Sequence, residues 1–113
     1  MGWLKRMFKK DKPAKASVAP QAVGKAPDGN PMPDCKLGLE GEFDESGLAK
    51  RVALAYDNDP QLDDEERLWV AQLSSKVVLK GEVSDQATLD KMVSVAKGVK
   101  GCTEVDTSAV TVG

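Results

Sequence analysis

The chain has 113 residues, 16 of them basic and 18 acidic, giving a formal net charge of −2. It has no histidine and two widely separated cysteines, which excludes imidazole-assisted nucleophiles, the usual zinc sites and any Cys-x-x-Cys chemistry. No apolar run approaches the roughly 20 residues that span a bilayer. The composition therefore points away from an enzyme and names no cofactor.

Charge is spread unevenly: residues 1–34 carry +4 and residues 35–113 carry −6. In the first ten residues Trp3, Leu4, Met7 and Phe8 fall at i, i+1, i+4 and i+5, one stripe of a helix, and Lys5, Arg6, Lys9 and Lys10 fill the remainder. This is the pattern of a basic amphipathic peptide. Such a short segment is not helical alone in water, so an interface or a groove must order it. The expected partner of residues 1–10 is an anionic phospholipid surface, with a docking groove on a protein complex as the alternative. No apolar run follows the basic residues, so no secretory signal is expected. The expected location is the cytoplasm or the cytoplasmic face of a membrane.

Residues 11–43 hold Pro13, Pro20, Pro27, Pro31 and Pro33 among many alanines, and the spacing forbids a helix. They read as a disordered linker with few large side chains to offset ordering entropy. Cys35 is then exposed, and a reducing compartment favours free thiols over a Cys35–Cys102 bridge.

Residues 44–113 form the folded part. Leu48, Val52, Ala55 and Tyr56 mark one helix face, with Asp44 or Ser46 as its cap and Pro60 beyond its end. Arg67–Leu73 reads as a strand, Ser74-Ser75 as a turn, and Lys76–Val83 as a second strand with Gly81 marking a bulge or a close backbone approach. Ser84 is the expected cap of a second helix, whose face is Leu89, Met92, Val93 and Ala96. Gly98 and Gly101 bracket its exit, and Val105, Val110 and Val112 belong to a last strand. The expectation is an α+β domain of order αββαβ: a three-stranded mixed sheet with two helices on one face and a disordered N-terminal tail.

The ordered set Leu48-x3-Val52, Leu68-x-Val70, Val77-x-Leu79-x-Gly81-x-Val83, Val95-Ala96-Lys97-Gly98-Val99-x-Gly101 and Val105 resembles the BON domain, a small αββαβ module of bacterial envelope and stress proteins. Cys102 departs from the pattern, standing where that family usually has valine. The resemblance implies binding rather than catalysis, with phospholipid surfaces, envelope assemblies or, in one relative, potassium as targets. No ligand-contacting residue carries over from it.

Two further groups of residues are candidates. Trp69 lies opposite the Leu68/Val70 face, so with Leu73 it marks a surface patch if no helix covers that side; a tryptophan filling a core gap is the equal alternative. Asp57, Asp59, Asp63 and Asp64 belong to an acidic run that invites a cation, although Leu62 and Leu68 stand where a calcium loop needs glycine and glutamate. That run is a weak metal candidate beside its plainer reading as a solvated loop. Nucleic acid is not expected, because the body is acidic and only Trp3 and Phe8 in the tail could stack on bases.

Overall fold

The structure is a computed structural model, and it describes residue 3, residues 17–62 and residues 67–113. The expected α+β fold is present: α1 (Gly47–Asp57), β1 (Leu68–Leu73), β2 (Lys76–Val83), α2 (Gln86–Lys97) and β3 (Glu104–Val112) follow in chain order. The sheet order is β1-β2-β3. β1 pairs antiparallel to β2 through a tight turn in which Ser74 takes φ 57°. β2 pairs parallel to β3, and α2 supplies the crossover that a parallel pair requires. The β2–β3 register shifts between Val78 and Lys80, which accommodates the extra length of the last strand.

Alternation along the strands sends Leu68, Val70, Val77, Leu79 and Val83 to the helix-covered side, where all are buried. Two caps differ from expectation. Ser46 precedes α1 without a side-chain cap bond. At α2 the cap is Asp85, not Ser84: its carboxylate accepts the Thr88 N–H at 2.7 Å, and that bond holds the Asp85 carboxyl below its usual range. Gly81 is a close backbone approach. It takes φ +122°, and a Cβ there would stand 2.1 Å from the Arg67 carbonyl oxygen. At the α2 exit Gly98 is right-handed, and Gly101 takes the left-handed position at φ +94°.

The main correction concerns residues 11–43. Among those described, Met32, Cys35, Leu37 and Leu39 are buried, so this stretch is not a disordered linker throughout. Leu37 bridges to Phe43, Ser17 N–H donates to the Leu39 carbonyl (2.9 Å), and Val23 N–H donates to the Gly41 carbonyl (2.8 Å). The physical reason lies in α1. It buries Ala49, Arg51, Ala53 and Leu54 as well as Leu48, Val52 and Tyr56 of its predicted face, so it is covered nearly all round and needs a second cover. The sheet covers one side, and Cys35 and Leu39 of the N-terminal segment belong to the same core.

Arg51 ties these layers together. It is fully buried, yet it donates only to backbone carbonyls: Nε to Leu37 at 2.8 Å, Nη1 to Val18 and Lys100, and Nη2 to Asp34. Burial pulls its pKa down and the nearby Asp34 opposes that, but a guanidinium stays charged. One side chain thus joins α1, the N-terminal segment and the α2–β3 turn.

Candidate functional site

The sheet face turned away from both helices carries two of the exposed large apolar residues, Trp69 and Leu73. Trp69 is 46% exposed and Leu73 66%, as the alternation against buried Leu68 and Val70 requires. Register places Trp69 beside Lys80, Ala71 beside Val78, and Leu73 beside Lys76, so each large apolar side chain of β1 has a lysine opposite. On the far side Lys76 stands beside Glu104, and Val78 beside Asp106. The Asp106 carboxyl is held below its usual range, first by the Ser108 backbone N–H and more weakly by Lys76. Arg67 and Glu82 form an exposed pair at 3.4 Å, of little energetic weight. The result is an apolar strip with flanking charges of both signs.

Trp3 is the second finding and a correction. It is 1% exposed and belongs to the core, so it is not part of a lipid-inserting stripe. Its indole meets Tyr56 edge-on with centroids 5.0 Å apart, its Nε1–H donates to the Leu62 carbonyl at 2.8 Å, and its backbone N–H donates to the Asp57 carboxylate. Tyr56 in turn donates its hydroxyl to the Met92 carbonyl at 2.8 Å, and burial pushes its phenol above its ordinary range. The predicted contacts Leu4, Lys5, Arg6, Met7, Phe8, Lys9 and Lys10 lie outside the described residues.

The described part of the acidic run does not gather into a site. Asp57 accepts the Trp3 N–H, and Asp59 pairs with Lys91 at 3.2 Å. Asp63 and Asp64 lie outside the described residues. Among the described residues no group of three metal-ligating side chains occurs. Every buried side-chain nitrogen and oxygen described also has a hydrogen-bond partner, so no orphaned polar atom there calls for a ligand. Cys35, expected to be exposed, is buried, and Cys102 is half-buried with its thiol pushed up by burial. A groove lined by Pro27, Pro31, Pro33 and Phe43 has Asp28, Lys36 and Glu45 around it, a set with no evident reaction chemistry. No helix of the described residues is long and apolar enough to cross a membrane.

No family model, no curated protein and no solved structure matches the chain.

Alternation put Trp69 opposite the Leu68/Val70 face, and the structure leaves Trp69 and Leu73 exposed there. Sequence reasoning missed the seat of Trp3 and the hub at Arg51. The signal for a second cover was present in α1, where Ala49, Ala53 and Leu54 fall outside the predicted stripe.

Proposed function

We propose that this protein is a non-enzymatic binding module that meets a protein partner through the sheet face bearing Trp69 and Leu73. The supporting observation is the exposure of those two large side chains on one strand, each flanked by a lysine. Aromatic anchors surrounded by charge are the composition of protein interfaces. The mixed charges, Lys76 and Lys80 against Glu82, Glu104 and Asp106, suit a partner with its own pattern better than a uniformly anionic bilayer. The resemblance to the BON domain adds to the binding reading.

A photo-crosslinking side chain in place of Ala71, between the two anchors, tests this in cells. The expected result is a crosslink to a defined protein, lost in the Trp69→Ala/Leu73→Ala double variant while the melting temperature is retained. The proposal fails if the double variant captures the same protein to the same extent.

A second reading concerns Leu4–Lys10, whose four cations favour peripheral attachment to anionic phospholipid at about 1 kcal/mol each near the surface. With Trp3 in the core, the apolar contribution falls to Leu4, Met7 and Phe8. Deleting the leading peptide would also empty the Trp3 seat, so the clean variant replaces Lys5, Arg6, Lys9 and Lys10 by alanine. The full chain is expected to sediment with anionic vesicles and to release at high salt, whereas the variant stays in the supernatant. Equal sedimentation of the two rules out an electrostatic anchor.

A further inference from the structure

We infer that Cys35 and Cys102 form a thiol pair that closes to an intramolecular disulfide and locks the N-terminal segment onto the domain. They are the only two cysteines in the chain and lie far apart in sequence, yet the fold brings their backbones to one corner. A Cβ built on Gly101 would stand 2.8 Å from the Cys35 nitrogen and 2.7 Å from the Asp34 carbonyl carbon. Standard bond lengths then put the Gly101 and Cys35 Cα atoms within about 6 Å, with Cys102 one step of about 3.8 Å further along the chain. A disulfide needs Cα atoms about 4.4–6.8 Å apart, which lies inside the span these two steps allow; the Cys102 thiol donates to the Glu104 carbonyl at 3.4 Å and turns from it to close the bond. A second contact fixes the same corner: the Arg51 guanidinium holds the Asp34 and Lys100 carbonyls together. Cys35 belongs to the core cluster and Cys102 packs against it. Both thiols are free in this structure.

The oxidant is a low-molecular-weight disulfide. The half-buried Cys102, as thiolate, attacks one sulfur of oxidised glutathione and releases one glutathione thiolate, leaving a mixed disulfide. The Cys35 thiolate then attacks the Cys102 sulfur and releases the second. Two electrons pass from the protein thiols to glutathione disulfide, and the two protons lost from the cysteines balance the two thiolates released. Burial raises the Cys102 thiol, so the first step accelerates in mildly alkaline solution.

The test treats the folded full chain with oxidised glutathione, then denatures, alkylates and weighs it. The wild type is expected to lose about 2 Da, to take up no alkylating agent, to remain monomeric on a non-reducing gel and to melt about 10 °C higher. The Cys35→Ser variant should stop at one glutathione adduct on Cys102, which shows that the oxidant reaches the site. If the wild type also accumulates stable adducts, keeps two alkylatable thiols while Cys35→Ser reacts, or crosslinks between molecules, the pair does not close and the inference is wrong. If Cys102 in Cys35→Ser stays unmodified even in alkaline solution, the inference is equally wrong, since the first step does not occur.

Discussion

Replacing Trp3 by alanine is expected to lower the unfolding free energy by about 3–5 kcal/mol, the usual cost of removing a large aromatic from a packed core. The loss has three sources. The indole leaves a cavity beside Tyr56, the Leu62 carbonyl loses its donor, and the edge-on ring contact disappears. A small domain has only about 5–15 kcal/mol in total, so this change moves the denaturant midpoint far. Trp3→Phe keeps most of the volume but not the Nε1–H, and should fall between the two. Urea unfolding followed by circular dichroism measures all three proteins. If Trp3 instead belonged to a peptide gripping an external surface, the alanine variant would unfold at the parent midpoint.

The second large effect is expected at Arg51. Arg51→Met removes a buried cation whose donors serve the carbonyls of Val18, Asp34, Leu37 and Lys100. The carbonyls of Val18, Leu37 and Lys100 then lose this donor, that of Asp34 keeps only the long bond from the Leu37 N–H at 3.4 Å, and the expected destabilisation is about 3 kcal/mol or more. Arg51→Lys retains charge but presents a single ammonium instead of a planar fork, so it recovers only part of the loss. Hydrogen exchange distinguishes this from a simple cavity effect. Amides of Ser17, Val23, Lys36 and Asp44, which donate within the N-terminal segment or its junction with α1, should lose protection before those of β2. Uniform loss across the molecule would mean that Arg51 does not specifically hold that segment.

The two variants bear on what was legible before the structure. Period-two and period-3.6 patterns locate both helices and all three strands, and Lys76–Val83 matches its predicted bounds. They succeed where an element buries one face regularly, as β1, β2 and α2 do. The N-terminal segment has no period to read. Its buried residues Leu37 and Leu39 are separated by Gly38, the Leu37 carbonyl is held from α1 by Arg51, and prolines and glycines interrupt the neighbouring sequence. Trp3 misled for a related reason: an apolar stripe beside lysines looks the same whether it faces a membrane or its own domain. Arg51 carries no local mark at all, since its bonding depends on carbonyls brought in from residues 18, 34, 37 and 100. For Trp69 and Leu73 strand alternation gives the face, while their exposure depends on both helices packing on the other side, which the sequence left open.

The position of Trp3 has a consequence for biosynthesis. A ribosome releases this indole well before its seat, which includes Leu62 and Tyr56, and Tyr56 is in turn held by the carbonyl of Met92. This aromatic residue therefore waits for some ninety further residues, up to Met92, before it can be sheltered. Until then the nascent chain carries an uncovered greasy side chain, an interval in which a holding chaperone has something to grasp.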